Sequence, residues 1–568
     1  MSPAASDYDL IVLGAGAAGM TAAVVAAQHG LATLLLEKSA FVGGTTAVSG
    51  GMVWVPNNHL MQERGLSDTP DAARAYLAAT VPDAAARPGL EAYLAAAPEA
   101  IRWLTAHTAV QFQPVVRYPD YYPDTPGATL GGRVLEPVPF DAASLGDAFA
   151  WLRPPLPEFT LLGGMMVARP DIVHFRRFGR SISSTLRVGR LLLRHARERL
   201  RHPRGTSLVL GNALAGRLLL SARAAGVEVC RSVEVAELAF EEGRCIGVDV
   251  VNPAGGTRRI RSRRGVVLST GGFSHDPQLR RRLMPQVADE ASATTESARG
   301  DGLRLAEAHG AAITGVPGQA AFWVPVSRYR TRDGREVVYP HTVTDRGKPG
   351  LIAVDLTGRR FVNEAVSYHN FVRAMLASSN GAARRAFLVC DSAFIWRYGL
   401  GAVKPFCLRL QPFLDAEYLK RGDTIAALAH AIGVEAQALA ETVRNFNVGA
   451  VEGQDPEFGR GRNAYERHVG DPEVAPNPNV APIVQAPFYA VEVRPGDLGT
   501  AAGLATDLHA RVLTADGRVL RGLYVAGNDA ASVMCGQYPG PGITLGPALT
   551  FGYLAAMTAA AEARSEPA

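Results

Sequence analysis

Apolar positions in this chain come in short unbroken runs that end in glycine. Near the N-terminus the run Asp9 to Leu13 meets Gly14-Ala15-Gly16-Ala17-Ala18-Gly19. An Ala-rich stretch from Met20 to Gln28 follows, and a second run, Ala32 to Leu36, stops at Glu37. Short apolar runs predict buried strands and the longer Ala-rich stretch a helix, so this unit reads strand, glycine turn, helix, strand. Two later runs end the same way, Gly265-Val266-Val267-Leu268 before Ser269-Thr270-Gly271-Gly272-Phe273, and Gly522-Leu523-Tyr524-Val525 before Ala526-Gly527-Asn528-Asp529. Strands that deliver backbone to one ligand would look like this; singly, each reads equally well as a core strand with a turn.

The segment from Arg169 to Arg204 is patterned differently. Drawn as a helix, Ile182, Leu186, Leu193, Ala196 and Leu200 form one stripe, with Arg187, Arg190, Arg194, Arg197, Arg201 and Arg204 beside it. Arg169, Arg176, Arg177, Arg180 and Arg199 add to a basic insertion spanning about 160–206, opposed between Arg169 and Arg204 only by Asp171 and Glu198. A basic amphipathic helix suits an anionic membrane surface. It reads equally as an ordinary helix with its apolar face on the protein and its arginines solvated. Nucleic acid is a weaker third reading, because aromatics are not interleaved with the arginines.

With 568 residues, 47% of them hydrophobic and 20% charged, the chain is globular and long enough for two or more domains. The arginine segment explains much of the net charge of +5. Cys230, Cys245, Cys390, Cys407 and Cys535 are odd in number and widely spaced, which indicates neither a disulfide framework nor a metal site. Met1 to Tyr8 lacks the basic and apolar regions of a signal peptide, and no uncharged apolar run is long enough to span a bilayer. A cytoplasmic location, peripheral on the inner membrane face if the arginine segment binds lipid, is the expectation. No internal repeat is visible.

The glycine turn carries the first chemistry. Gly14 permits the tight turn, Gly16 lets a pyrophosphate approach the backbone, Gly19 allows close packing of helix on strand, and the helix N-terminus faces the phosphates. Glu37 falls where an acid binds a ribose 2′-hydroxyl, about 20 residues on, which disfavours a 2′-phosphate. FAD is preferred to NAD because Gly43-Gly44-Thr45-Thr46-Ala47-Val48-Ser49-Gly50-Gly51 is a glycine-rich loop of the kind that wraps a cofactor. Ala17, Ala18, Lys38, Thr270, Gly271, Gly527 and Asn528 complete the expected cofactor wall on this side.

Near the C-terminus, Tyr538-Pro539-Gly540-Pro541-Gly542 alternates proline with glycine and is followed by Ile543-Thr544-Leu545. The prolines stiffen the backbone, and the one polar side chain held there is a phenol. A fixed Tyr hydroxyl beside free backbone N–H groups binds an oxyanion; the plainer reading is a tight turn feeding a final helix.

Together the glycine fingerprint, Glu37, Gly43-Gly44-Thr45, Ser269-Thr270-Gly271-Gly272 and Gly527-Asn528 resemble the fumarate reductase/succinate dehydrogenase flavoprotein superfamily over most of the chain. The resemblance implies an α/β fold. A discontinuous Rossmann-like FAD-binding domain (1–273 and 486–568) would flank an α+β substrate and catalytic cap (274–485). The chain would return through Tyr489 to Val493, with the Pro- and Asn-rich run Asp471 to Pro482 as exit linker. Covalent members attach flavin through a His in the glycine loop. Here the loop reads Thr45-Thr46-Ala47, so FAD is expected to be held non-covalently, with Gly542, Thr544 and Leu545 also contacting it.

Dicarboxylate-reducing members carry an Arg proton donor shortly after a Phe-Val-Asn-Glu motif. After Phe361-Val362-Asn363-Glu364 this chain places Tyr368, and near the last glycine loop, where a second family Arg falls, it places Tyr538. Phenols do not neutralise a dicarboxylate, but they act on a ketone. This pattern, with the Tyr538-Pro539-Gly540-Pro541-Gly542 loop, resembles the 3-ketosteroid Δ1-dehydrogenases. Met534-Cys535-Gly536 departs from the shorter Met-Gly of that family.

The resemblance implies 1,2-desaturation of a 3-ketosteroid, with the Tyr538 hydroxyl and Gly542 N–H holding the C3 oxygen, Tyr368 taking the C2 proton and flavin N5 the C1 hydride. Tyr121, hydrogen-bonded to Tyr368, would assist it, with Tyr118 and Tyr122 as alternatives. A sterol substrate, which partitions into lipid, favours the membrane reading of 169–204. The alternatives are a flavin-dependent reductase of another enone or unsaturated acid, and a non-catalytic membrane-associated flavoprotein. The electron acceptor stays open, and no nucleic acid or metal partner is expected.

Overall fold

Five strands pair in parallel in the order Glu228–Arg231, Thr33–Glu37, Asp7–Leu13, Thr257–Leu268 and Val519–Val525 in the computed structural model, which describes residues 7–83, 86–252 and 255–565. Ile11, Val12, Leu34, Leu35, Val266, Val267, Leu523 and Tyr524 are fully buried. Strands covered on both faces read as continuous apolar runs instead of alternating, and this is the pattern of the sequence. The strands Val235–Glu241, Arg244–Val251 and Arg511–Leu513 join by antiparallel pairing to complete an eight-stranded sheet.

Helix Ala17–Gln28 is so rich in alanine that other helices come close to it. The C-terminal helix Leu545–Ser565 and helix Leu210–Ala224 both pack on it, and a Cβ added at Gly552 would lie 2.5 Å from the Ala18 carbonyl. The turn before it is equally tight. Gly14 has φ +98°, and a Cβ there would stand 2.3 Å from the Ser269 carbonyl, so the glycine turn crosses directly over the end of the neighbouring strand.

The second sheet has six strands and is antiparallel. Its order is Glu336–Pro340, Ala321–Arg330, Phe488–Thr500, Ala386–Asp391, Leu351–Val354, with Leu419–Gly422 also on Phe488–Thr500. Phe488–Thr500 is therefore the centre of the cap sheet, although the sequence reading places it in the returning cofactor domain. The chain rejoins the first sheet only after this strand, so the division expected at 485 falls too early. The apolar pattern of Tyr489 to Val493 marks a buried strand but not the sheet that recruits it. Asp471 to Pro482 also differs from the linker expected. Asp471, Asn477, Asn479 and Val480 are buried, and the Asn479 amide donates to the Gly347 and Glu466 carbonyls. Asp471, Asn477 and Asn479 are therefore internal hydrogen-bonding groups, while Glu473 is exposed.

The basic insertion forms two helices, Arg169–Arg176 and Ile182–Arg199. In the second, Ser184, Val188, Leu191 and His195 face the protein, while Ile182, Leu186, Leu193 and Leu200 are 83%, 58%, 54% and 85% exposed. The apolar stripe read from the sequence thus points outward, which removes the reading in which it packs on the protein. Arg204 leaves the arginine stripe. It lies 4.2 Å from the Phe149 ring, donates to Asn212 and the Leu152 carbonyl, and burial lowers its pKa to about 10. No described helix is long and apolar enough to cross a membrane. Met1 to Ser6, on which part of the signal-peptide expectation rests, lies outside the described residues.

Candidate active site

Between the two sheets lies a cavity of about 860 Å³. One end is lined by Gly14, Gly16, Ala17, Ala18, Glu37, Lys38, Gly44, Thr45, Thr46, Ser49, Gly50, Gly51, Thr270, Gly271, Gly527 and Asn528. The other carries Tyr118, Tyr121, Tyr368, Tyr538, Gly542, Thr544 and Leu545. Of the residues expected at the cofactor, only Gly19 and Gly43 are absent from the wall. A Cβ at Gly19 would fall 1.9 Å from the Gly14 carbonyl, and one at Gly43 would fall 2.8 Å from the Ala47 Cβ, so both serve backbone packing behind the wall.

The wall has the form of a dinucleotide cradle. A Cβ at Gly16 would have no protein atom nearer than 4.0 Å, one at Gly50 none within 4 Å, and one at Gly271 only the Ala298 Cβ at 3.8 Å. These glycines leave open the volume in which a ligand meets backbone, as FAD requires. Glu37 is buried; its carboxylate accepts from the Ala15 N–H at 2.9 Å and the Ser39 N–H at 2.8 Å. That fixes the acid beside the glycine turn, and each oxygen retains a lone pair for a ribose hydroxyl. The Ala17 N–H donates to Thr46 Oγ1 at 3.1 Å, tying the glycine loop to the helix N-terminus. Lys38, also on this wall, has its ammonium paired with Asp301 at 3.1 Å.

Asp529 escaped the sequence reading. It is fully buried, and its carboxylate accepts from the Thr270 N–H and hydroxyl and from the Gly272 N–H at 2.8 Å, joining two strand ends at the cavity. Burial raises its pKa despite these bonds. Its position in Gly527-Asn528-Asp529 was the available signal. Glu364, in the Phe-Val-Asn-Glu motif, is also buried, and it pairs with Arg360 at 2.7 Å and Arg460 at 3.3 Å. The motif thus fixes the loop that leads into helix Tyr368–Ala377, whose first residue is Tyr368.

Three distant segments supply the tyrosines. The Pro539 carbonyl accepts from the Tyr121 N–H at 3.0 Å and the Tyr76 hydroxyl at 2.5 Å, which fastens the C-terminal loop to the early Tyr-rich turn. That turn is set by Asp120, which accepts from Trp54 Nε1 and Arg133, both at 2.8 Å. Arg133 and its second partner, Asp68, have no exposed side-chain surface. A Cβ at Gly540 would meet Trp54 Nε1 at 2.5 Å, so the loop sits directly on the indole. The longer Met534-Cys535-Gly536 is absorbed by a turn in which the Gln537 N–H reaches the Met534 carbonyl at 2.8 Å.

Inside the cavity the Tyr368 hydroxyl donates to that of Tyr538 at 2.8 Å. No hydrogen bond of comparable geometry joins Tyr121 to Tyr368, although the Tyr121 hydroxyl lies close enough to oppose part of the rise that burial imposes on Tyr368. Tyr121 packs edge-on to Tyr368 at 5.8 Å and stacks on Tyr538 at 5.6 Å, with its own hydroxyl buried and without a partner among the described residues. Tyr465, which sequence reasoning missed, packs on Tyr121 at 4.7 Å. Tyr118 also lines the cavity, whereas Tyr122 turns away and donates to Asn370 at 3.1 Å. Burial pushes Tyr538 up to about 12 and holds Tyr121 and Tyr368 well above the usual phenol range. The Gly542 N–H has no protein acceptor among the described residues, and Gly542 has φ +98° with its Cβ position 2.5 Å from the Met52 carbonyl. Two donors, one phenolic and one from the main chain, thus border the same apolar space beside a second phenol.

Comparisons with known proteins identify the family. Residues 9–545 match the model of the FAD binding domain family, and the chain belongs to that family. It is 37% identical to the 3-oxosteroid 1-dehydrogenase of Mycolicibacterium smegmatis, over 98% of both chains. It is 39% identical to the 4-oxocyclohex-2-ene-1-carboxylate 5-dehydrogenase of Sinomonas cyclohexanicum, over 96% of this chain and 92% of the relative. The crystal structure of 3-ketosteroid delta1-dehydrogenase from Sterolibacterium denitrificans in complex with 1,4-androstadiene-3,17-dione superposes with a TM-score of 0.90 and 38% identity. It covers 98% of this chain and 100% of that one. The cofactor is FAD, and the chain is an FAD-dependent dehydrogenase.

His468 is the only histidine lining the cavity among the described residues, no cysteine does, and the glycine loop has neither. Flavin is therefore expected to dissociate on denaturation. Acid precipitation should leave the yellow colour in the supernatant, and colour remaining with the pellet would establish a covalent link.

Proposed function

We propose that this protein is an FAD-dependent 3-ketosteroid Δ1-dehydrogenase, which introduces a double bond between C1 and C2 of a 3-ketosteroid. The observation that carries this reading is the Tyr368–Tyr538 hydroxyl pair, 2.8 Å apart, which lines the same largely apolar cavity as Gly542, whose N–H has no acceptor among the described residues. A ketone oxygen between Tyr538 and Gly542 gains two donors as charge develops on it, each worth about 2.7–4 kcal/mol in comparable sites. That stabilisation makes the C2 hydrogen acidic, and Tyr368 takes it. Bound FAD supplies the acceptor for the hydride from C1. Reduction of an unsaturated acid would need guanidiniums at the reacting end, where this chain has phenols.

Burial opposes a Tyr368 phenolate, but Tyr368 begins a ten-residue helix, whose N-terminal end favours negative charge by about 0.3–1 kcal/mol. The base is the ionised phenol, and the phenol is raised above its usual range. Its active fraction therefore grows tenfold per pH unit below the pKa, and kcat should climb with unit slope from pH about 6 to 9. Tyr368→Phe should lose about 10²–10⁴-fold in kcat together with that slope while retaining FAD. A flat profile in the wild type would remove Tyr368 from the role.

Tyr538→Phe keeps the stiff loop and the Gly542 N–H, so activity should fall about 10²–10³-fold without vanishing. Exchange of the C2 hydrogens of bound ketosteroid with deuterated solvent should slow in parallel. Turnover that drops while exchange keeps its wild-type rate would place Tyr538 outside the oxyanion site.

We also propose that the protein attaches peripherally to anionic membrane on the cytoplasmic side through helix Ile182–Arg199. Its exposed stripe of Ile182, Leu186, Leu193 and Leu200 is flanked by exposed Arg190, Arg194 and Arg197, the arrangement of an interfacial helix. Phe159, Ile172 and Phe406 on the cavity wall are 37%, 49% and 38% exposed, so an apolar rim accompanies the stripe. All five cysteines are free thiols, as suits a reducing compartment. Replacing Ile182, Leu186, Leu193 and Leu200 by serine should abolish cosedimentation with anionic vesicles at unchanged FAD content, and salt should weaken the wild-type attachment. Equal sedimentation of the two proteins would refute the assignment.

A further inference from the structure

Charge is unevenly placed along the cavity. The sequence has only four lysines among its 58 basic residues, and three of them, Lys38, Lys348 and Lys404, line this cavity. Lys38 is paired with Asp301, and Lys404 reaches the Pro157 and Thr160 carbonyls. Lys348 is the unusual one. Its ammonium donates to the Val469 and Gly470 carbonyls, both at 2.7 Å, and forms no ion pair among the described residues. Burial, with the Arg176 guanidinium nearby, lowers it to about 8.

Helix Arg169–Arg176 brings a second cation to the same place. Its residues Arg169, Ile172, Phe175 and Arg176, on one helical face, line the cavity. Arg176 is committed to Asp471 at 2.7 Å. Arg169 lies 5.2 Å over the Tyr118 ring and pairs with Glu136 through Nη1 at 3.6 Å, a loose ion pair that leaves this buried nitrogen without a hydrogen bond. His468 packs on Tyr118 at 4.4 Å, and burial, with Arg169 and Lys348 close by, lowers it to about 4, so it adds no charge at neutral pH. Tyr118 therefore has a cationic corner beside it, on the tyrosine side of the cavity and away from the glycine cradle. Asp345 also lines the cavity, but among the described residues no carboxylate lies within ion-pair distance of Lys348, and a buried cation is costly unless an anion meets it.

We propose that this corner binds a carboxylate carried by the substrate at the end remote from its ketone, with Lys348 and Arg169 as the partners. This rests on the desaturase reading above, because it concerns the far end of the same ligand. The carboxylate takes no part in bond making. It receives charge-assisted hydrogen bonds from Lys348 and Arg169 and so fixes which ring carbons reach Tyr368. Two substrate types share the chemistry, a 3-ketosteroid whose C17 side chain ends in an acid and a one-ring 4-oxocyclohexanecarboxylate.

The test uses FAD-loaded enzyme, an artificial electron acceptor and three ketones: 4-androstene-3,17-dione, 3-oxochol-4-en-24-oate and 4-oxocyclohexanecarboxylate. Because Lys348 also caps two carbonyls, Arg169→Gln is tested beside Lys348→Met, with Lys348→Arg as the rescue. For one of the acids, kcat/KM relative to that of the neutral steroid should fall at least tenfold in both charge-removing variants, through KM, and recover in Lys348→Arg. The acid that responds identifies the substrate type. Ratios within twofold of wild type for both acids would overturn the proposal. If no ketone were oxidised, the desaturase reading would fail separately. The corner would then be judged by titrating the flavin absorbance with each ligand, where tenfold weaker acid binding in the variants supports it and unchanged binding overturns it.

Discussion

The Pro539 carbonyl is the point on which the site depends. It accepts from the Tyr121 main chain and the Tyr76 side chain, and so joins the last glycine loop to a segment more than 400 residues earlier. Neither side is free to adjust. On one, prolines flank the carbonyl's neighbours and Gly540 lies against the Trp54 indole; on the other, buried Asp120 ties the Tyr-rich turn to Trp54 and Arg133. With both rigid, the rings of Tyr121 and Tyr538 stack and Tyr368, arriving from the cap, closes the group.

Burial has opposite consequences for the phenols. A water-poor cavity strengthens every hydrogen bond to a developing oxyanion, because no solvent competes for the donors. The same environment raises the pKa values of Tyr121, Tyr368 and Tyr538, which suits a donor and hinders a base. Tyr538 and Tyr368 differ in backbone context. Tyr538 sits on a stiff loop beside a free N–H, while Tyr368 sits at a helix N-terminus, the local field that favours an anion.

The basic insertion has two faces of different use. Helix Arg169–Arg176 presents arginines and apolar residues to the cavity, and helix Ile182–Arg199 presents its apolar stripe and arginines outward. Arg187 bonds to Asp171 at 2.8 Å and joins the two helices. One segment therefore contributes to the ligand cavity and to an exposed amphipathic surface.

The cofactor unit was legible in the sequence because its chemistry is local. Gly14, Gly16 and Glu37 lie within one strand, turn and strand, and close backbone approach demands glycine whatever the rest of the fold does. The two phenols proposed to act stand out for a similar reason, since Tyr538 immediately precedes the Pro539-Gly540-Pro541 run and Tyr368 follows a recognisable motif. What tertiary structure decided was pairing. The apolar run Tyr489 to Val493 cannot specify which sheet it joins, and the stripe Ile182 to Leu200 has the same period whether it faces protein or solvent. Tyr368 hydrogen-bonds Tyr538, with the Tyr121 ring beside the pair, because a phenol's partner depends on where three remote backbones come to rest. Asp529, Tyr465 and the Lys348–Arg169 corner belong to this second class: ordinary residues in sequence, given their surroundings only by contacts across the fold.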